Sequence, residues 1–583
     1  MLRLRFYFCA QPKTNKMSVI KNLKNLAMVA GFTATTFVAN AATINITDAD
    51  LGNGTYNWTK NNVYLLDGLV FLESGGVLNI EKGTVVKFKE VPTNSDPASA
   101  LIITRGAKIF AIGTPTEPII FTAEADDVND PNDLGPTDVK LWAGLVLLGK
   151  AKTLKDGAYE VNVEGIPTTE PRGLYGAING DPNNFVDNDN SGTLKYVSIR
   201  HTGFGLTSGS ELQGLTLGAV GSGTTIEYVE SYASSDDGIE IFGGSVNVKY
   251  FVSAFIEDDT YDVDEGWSGK GQFWFGIQTS NDPNPDTGFE FDGSTPNNTA
   301  SDTVDVTNTT VYNVTMIGTG KTASFGGVGM NWRAGIKGKL ANSLIGDFRG
   351  ACLEVNDAGG NTTTDAYAQL QAGNLSFKSN DFFDCGTGTT LSDVIKITSN
   401  ADDLTGTALI THLTNNNNRV ANPSLNNIDR GQNSLLDPRP SSTSSSAYTG
   451  TLESYPSDGF FTPVNYRGAF SADANDFWLN GWTALWANNH LAEILTSISE
   501  KTLDNTVAVY PNPASGVFTV DFKNNLVEKV EIFNINGALV ATYNTLGEEK
   551  IEVTTSDFST GLYLVRIADN NGNVSVKKVS VNN

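Results

Sequence analysis

Two pairs of aspartates raise the first question of chemistry. Residues 225–244 read TIEYVESYASSDDGIEIFGG and residues 247–266 read NVKYFVSAFIEDDTYDVDEG. Tyr228 answers to Tyr250, Ser231 to Ser253, Asp236 to Asp258 and Asp237 to Asp259, all at one constant offset. Ile226, Tyr228, Ile239 and Ile241 alternate with Glu227 and Glu240; Val248, Tyr250, Tyr261 and Val263 alternate with Lys249 and Asp262. Period-two alternation marks half-buried strands with the charged residues turned outward. A short fixed period of two strands and a polar turn marks a stacked solenoid, whose units bury their apolar faces only against one another. Stacked coils lie about 4.8 Å apart, which puts Asp236 and Asp237 over Asp258 and Asp259, and Glu240 over Asp262. Carboxylates at that spacing repel unless water screens them or a cation binds them. Calcium binding, acid–base catalysis and a hydrated turn are the three uses open to them.

A second acidic motif is DNDNSG at residues 187–192. Asp187, Asp189 and Ser191 place oxygens at alternate positions before Gly192, as a loop curling round a hard cation requires. The bidentate Glu that closes an EF-hand at its twelfth position is replaced by Ser198, so other ligands would have to come from elsewhere. An Asx-rich turn leading into the strand at 194–199 is the alternative.

Catalysis needs partners for the acids. The histidines are His201, His412 and His490, and no GxSxG nucleophile motif occurs. The chain lacks the asparagine-threonine-aspartate, glycine-histidine-glycine and arginine-isoleucine-lysine signatures of polygalacturonase-like glycosidases. Stacked acids about 5 Å apart are too close for an inverting water, which needs ~6.5–9.5 Å, though compatible with retention. A lyase would need an Arg or Lys base; Arg200 and Lys249 qualify by position, but Lys249 lies level with Glu227 and reads first as a cross-coil ion pair. No catalytic residue is assigned, and a non-enzymatic surface protein is favoured over a calcium-dependent polysaccharide lyase or glycosidase.

The elements that position these residues are short strands between tight turns. The chain has 583 residues and 59 glycines, and apolar runs punctuated by Gly extend from 69 to 121, resume at 194–200 and 212–223, and continue through the two clear repeats. Residues 43–63 read as an N-terminal cap, and coils are expected to pause after Trp267 and resume at 310–317, 340–355, 375–383 and 391–397. The fold expected for residues 42–435 is all-β, a right-handed parallel β-helix with loop excursions at 124–137 and 149–190. Residues 436–500 read as a linker, flexible at 441–446, followed by an aromatic-rich capping segment. In it Trp478, Trp482 and Trp486, at helical spacing, read as one packed helix face in preference to a sugar-stacking platform. Cys352 and Cys385, roughly one and a half coils apart, could form a disulfide or remain two buried thiols.

Residues 1–41 carry six basic side chains and no acid, leaving 33 basic against 65 acidic side chains in the remainder, a formal charge of −32. That balance argues against nucleic acid or an anionic membrane as partner. Lys21 and Lys24, an apolar run over 26–38, and the small-residue site Ala39-Asn40-Ala41 read as a signal peptide within residues 1–41, with Met17 a second start for such a leader. No other run is long enough for a transmembrane helix.

Residues 507–583 form a separate module of alternating strands. Pro511, Asn512 and Pro513, the Asn536-Gly537 turn, Gly561, Leu562 and Tyr563 with Arg566, and the closing Lys577 and Lys578 resemble the C-terminal sorting domain of type IX (Por) secretion cargo. The resemblance implies a small β-sandwich and export across the outer membrane by the type IX machinery. It also implies removal of the domain by a sortase-like peptidase and a product released or attached at the cell surface. WAGLVLLGKA (142–151), NSGTLKYVSIR (190–200), SSDDGIEIFGG (234–244) and YRGAF (466–470) resemble a group of secreted β-helix proteins. That resemblance gives a fold and a location but no activity; adhesion or binding of extracellular glycan is the function expected of the protein as a whole.

Overall fold

The computed structural model describes residues 42–207, 210–279, 286–293, 306–358, 365–386, 388–398, 401–492, 507–522, 527–535, 539–545, 548–569 and 574–582. The leader expected in residues 1–41 lies outside them, as does Gly537. From Ala42 the chain winds as a parallel β-helix whose coils have three faces. In the repeat the strands Thr225–Tyr232 and Asn247–Ala254 pair in parallel, with Thr225 against Asn247 and Ser231 against Ser253. The period of the sequence repeat is therefore one coil. Each of these long strands supplies two faces, because it bends in the middle at a residue of positive φ. Tyr196 (50°), Tyr228 (54°), Tyr250 (55°) and Phe273 (58°) occupy that corner in successive coils. A left-handed backbone is costly for bulky residues. Here the rings stack one above another, with centroids 4.4, 4.3 and 4.9 Å apart.

The third face is, among the described residues, a ten-stranded parallel sheet that runs from Leu69–Leu72 to Ile395–Lys396. Inward side chains from all three faces, such as Ile226 before the Tyr228 corner, Val229 after it and Ile241 on the third face, form one continuous core. At the N-terminal end, Ala42–Ile46 already pairs with Asn62–Leu66 and Thr55–Trp58 with Val77–Ile80. The segment expected as a cap is thus the first coil itself. Nor do the coils pause after Trp267. Lys270–Ile277 and Phe289–Asp292 make a further coil, which the polar run between them disguises in the sequence.

Residues 436–492 are neither a linker nor a lid on the last coil. After the final pairing of Arg419–Val420 with the strand Asp381–Cys385, the chain turns back along the outside of the second face. Arg430 donates to the carbonyl of Gln278, Gln432 to that of Pro131, and Gly481 sits against the Pro115 carbonyl of an early coil. Outward apolar residues of that face, Val252, Ala254, Phe275 and Ile317, pack with Leu436, Phe470, Phe477 and Trp482 in a second core. Ser445, in the run expected to be flexible, is buried and bonded to the Pro423 carbonyl. Asp437–Pro440 is a fully buried strand paired with Leu425–Asn427. Composition suggested a linker because the strap is rich in polar side chains, which coil and strap partners satisfy one by one, as Arg467 is on the Ser379 and Thr449 carbonyls.

Cys352 and Cys385 are joined, with Cα atoms 5.5 Å apart. Their spacing leaves this open in the sequence, because it exceeds the period of the repeat. In this part of the helix, however, Gly346 pairs with Phe383, so the coil is much longer than in the repeat and the two cysteines meet on neighbouring coils. Closing such a loop stabilises by about 4 kcal/mol.

Among the described residues the C-terminal module has seven strands, Ala508–Ser515 to Val574–Val581, in the order 4-3-6-7-1-2-5. Its first strand contributes to two sheets, which enclose a core of their own that includes Phe518, Val530, Val565 and Val579.

Candidate functional site

Outward positions on the third face form columns, because parallel pairing sets equivalent residues of successive coils side by side. One column reads Phe71, Ile102, Val146, Thr216, Glu240, Asp262, Glu290, Asn331, Glu354 and Lys396. It is apolar for three coils and acidic for the next three after Thr216. The neighbouring column passes from Leu148 through Gly218 and Phe242 to Asp264, and Asp292 pairs with Arg333 beside it. The apolar part is covered by the excursion at 149–190, whose Val163, Ile166 and Tyr175 pack on Phe71, Ile102, Val146 and Leu148.

The same excursion explains why Glu240, expected to face solvent, is only 6% exposed. The excursion is pinned by Glu265, a fully buried carboxylate that accepts from Tyr175 Oη (2.7 Å) and Thr153 Oγ1 (2.9 Å) and pairs with Lys155 Nζ (2.9 Å). Gly238, in the turn before Glu240, permits a close approach of coils. A Cβ there would lie 1.7 Å from Ser253 Oγ.

The four aspartates of the repeat stack as their spacing predicts but divide into different groupings. Asp236, Asp237 and Asp258 bring one oxygen each within 4.8 Å of one another; so do Asp237, Glu240 and Asp262, and so do Asp258, Asp259 and Asp286. Ligands facing each other across a calcium ion, at about 2.4 Å each, are about 4.8 Å apart. Part of the set also builds the coil. Asp237 accepts from the Asp259 N–H (3.1 Å), and Asp259 accepts from the Thr287 N–H (2.8 Å) and hydroxyl. Glu240 Oε2, by contrast, is buried without a hydrogen-bond partner.

Such crowding holds protons on the acids. Burial, with added repulsion from neighbouring carboxylates, raises Asp237, Glu240, Asp259 and Asp262 well above the ordinary range. Burial and then the charge of Asp258 push Asp236 up to about 7. Burial raises Asp264 to about 8, with Glu265 adding to it, and Glu290 to about 7 even though Arg333 opposes it. Arg333 closes the end of the ladder with bonds of 2.6 and 2.9 Å to Asp292 and 2.5 Å to Glu290.

The other sequence-derived candidates go to structural use. Asp187 is exposed, and its backbone carbonyl accepts from Ser222 and Ser245. Asp189 Oδ2 accepts from the Lys150 N–H (3.1 Å), while Ser191 is buried. Among the described residues these three do not converge with a third carboxylate or thiolate on one point. Lys249 is level with Glu227, but the ion pair of Glu227 is with Lys195 (2.9 Å). Lys249 Nζ instead donates to the Phe460 carbonyl and Thr462 Oγ1, and burial lowers its ammonium below the ordinary lysine range. Arg200 is 2% exposed and donates to Ser198 Oγ. His201 and His490 bond the carbonyls of Asp138 and Gly431, and His412 Nε2 accepts from the Phe377 N–H.

The three tryptophans do not share a helix. Among the described residues the one α-helix there is Ala484–Ala487, begun by Glu230 accepting from the Ala484 N–H (2.6 Å). Trp482 is buried and Trp478 half-buried against the corner tyrosines, whereas Trp486 is 51% exposed. In the C-terminal module Asn512 bridges to the edge of the last strand through the Lys578 carbonyl (2.8 Å) and Ser580 N–H (2.9 Å). Tyr563 Oη donates to the Ser559 carbonyl and Arg566 pairs with Glu531 (2.7 Å). Gly561 opens the strand that carries both, opposite Val581, while Lys577 and Lys578 lie on the last strand. Pro511 and Pro513 are on the first strand.

Sequence reasoning missed Asp264, Glu290, Asp292 and Arg333. The signal was present: FEFD at 289–292 repeats the apolar–acid alternation of YDVD at 261–264, but the intervening polar run hid the register.

Comparison with known proteins agrees with this architecture. Ulvan lyase NLR42 of Nonlabens ulvanivorans is 38% identical over 78 residues, 13% of this chain and 14% of that protein. The chain thus spans about a seventh of the length of the curated relative it matches. A secretion system C-terminal sorting domain matches residues 508–582, so the protein is exported by the Por-type secretion machinery to the outer-membrane surface or the exterior. Among the described residues no helix is long and apolar enough to cross a membrane. The pectate-lyase-like β-helix domain matches residues 51–426, well over half of the sequence, and the chain belongs to that family.

Proposed function

We propose that the protein is a surface or secreted factor that binds extracellular glycan, in which calcium held by the third-face carboxylates stiffens the β-helix. One observation carries the calcium part: Glu240 Oε2 is sealed without a hydrogen-bond partner beside Asp237 and Asp262, oxygens close enough to share one ion. A buried polar oxygen without a partner is costly, and a hard divalent cation is the partner that three carboxylate oxygens suit once their protons are lost. When bound, the ion would neutralise the ladder and tie one coil to the next. Asp236 and Asp258 would supply a second position of the same kind. Supporting a binding role over a catalytic one, Arg200, Lys249 and the histidines are committed to structural bonds. Export is followed in this reading by removal of the sorting domain by a sortase-like peptidase.

A second reading, a polysaccharide-degrading enzyme, draws on two observations. Asp236 and Glu290 are pushed up to about 7, where a carboxyl can give and take protons, and the relative named above is called an ulvan lyase. The 78 residues shared with it are about the length of the sorting domain alone, which is why binding is preferred. The two readings separate when the chain is incubated with a panel of polysaccharides in calcium. Retention without product supports binding; product formation that disappears in Asp237→Ala supports the enzyme.

A further inference from the structure

The strap and an early coil enclose a cleft of about 640 Å³, within the range of small-ligand sites, ~300–1,000 Å³. One wall is the turn with Pro115 and Thr116; the other carries Ser434, Asn480, Trp486 and Asn489. The three tryptophans of the strap differ here. Trp478 and Trp482 pack edge-on against the corner tyrosines, and their indole N–H groups donate to the carbonyls of Ala469 and Trp478. Trp486 makes no ring contact with another aromatic among the described residues, and half of it faces the solvent in the cleft. Among the described residues the side-chain amides of Asn480 and Asn489 have no protein partner either. A lone exposed apolar side chain is ordinary; this one lines a cleft beside two unpartnered amides. A Trp with one flat apolar face and a polar edge suits a ligand with the same duality.

The lining also states the charge of that ligand. Among the described residues none of the ten that line the cleft ionises, on a chain with 65 acidic side chains and a net charge of −26. A polyanion would meet repulsion from the surrounding protein and no compensating base among the described lining residues, and a cation would find no carboxylate among them. A sugar ring with one C–H face and a rim of neutral hydroxyls matches a flat indole beside amides that both donate and accept.

We propose that this cleft is a glycan-binding site in which Trp486 stacks on a neutral pyranose and Asn480 and Asn489 hydrogen-bond its hydroxyls. The assignment rests on the glycan-binding reading above and names its ligand class and place. The acidic third face has no part in it.

The test is retention of the full exported chain on immobilised galactomannan, xylan and starch, with alginate as the charged comparator. Wild type is expected on at least one neutral polymer. Trp486→Ala is expected to weaken retention at least about tenfold, as loss of a central aromatic anchor does, with Trp486→Phe recovering part of it and Asn480→Ala weakening it less. Melting of Trp486→Ala should match wild type, because the ring is exposed. Retention of wild type on a neutral polymer that Trp486→Ala leaves unchanged would overturn the site while leaving the glycan-binding reading standing. Retention on alginate alone would overturn the neutral-ligand assignment, and retention on nothing would remove both.

Discussion

The outward side of the third face is two surfaces on one scaffold. Over Phe71, Ile102 and Val146 it is apolar and covered by residues 149–190; over Glu240, Asp262 and Glu290 it is acidic. The strands, the coil spacing and the inward core are the same in both halves. The difference lies only in what each outward position needs as a partner. The apolar half finds it within the chain, and the acidic half finds two cations, Lys155 and Arg333, at its ends. The solenoid thus supplies addresses, and the side chains decide which are filled by apolar packing within the chain and which remain acidic.

The comparison breaks most violently if the halves are exchanged. Val146→Asp puts an unpaired carboxylate beneath the excursion and should cost more than about 3 kcal/mol, read by denaturant unfolding. A smaller cost would mean that the excursion is not a true cover. Tyr175→Phe removes one donor to the buried Glu265 and should cost about 1–2 kcal/mol by the same measurement.

In the acidic half the sign reverses. With chelator present, Glu240→Gln removes repulsion and should stabilise by about 1 kcal/mol; with calcium present it should destabilise. The pH dependence follows from the same groups. The unfolded chain releases these protons near pH 4, whereas the folded chain holds them up to about 7 on Asp236 and Glu290 and about 8 on Asp264. Proton-linked stability is therefore fully present below pH 4 and lost as the pH rises through 7 to 8. Melting in chelator should fall progressively from about pH 4 up to about pH 8 and level off above it, and calcium should flatten the fall. Lys195→Met should change stability by less than about 1 kcal/mol, because both partners of its pair with Glu227 are about one-third exposed; a larger loss would show that surface pairs share in holding the coils.

Much of this was legible in the residues. The offset between Tyr228 and Tyr250 set the coil length, and the alternation around Ile239 and Tyr261 marked the inward face. Burial on the outward face was not legible, because what covers Glu240 is an excursion far upstream, at 149–190, with no periodicity of its own. The strap was misread for a related reason. Its Ser, Asp and Arg residues look like linker chemistry until the carbonyls and carboxylates they bond are known, as with Arg467, which donates to Ser379, Thr449 and Thr451. Lys249 shows that register alone does not name a partner: it is level with Glu227, and the strap took it.

The central claim is that the carboxylates over Glu240 and Asp262 hold a divalent cation. It is met most directly by metal analysis and thermal melting of the exported chain at pH 8, with calcium and with chelator, for wild type and for the double variant Glu240→Gln, Asp262→Asn. Bound calcium and a melting temperature several degrees higher in calcium than in chelator are expected for wild type, with the shift reduced or lost in the variant. No bound metal and coincident melting curves for wild type would contradict the account.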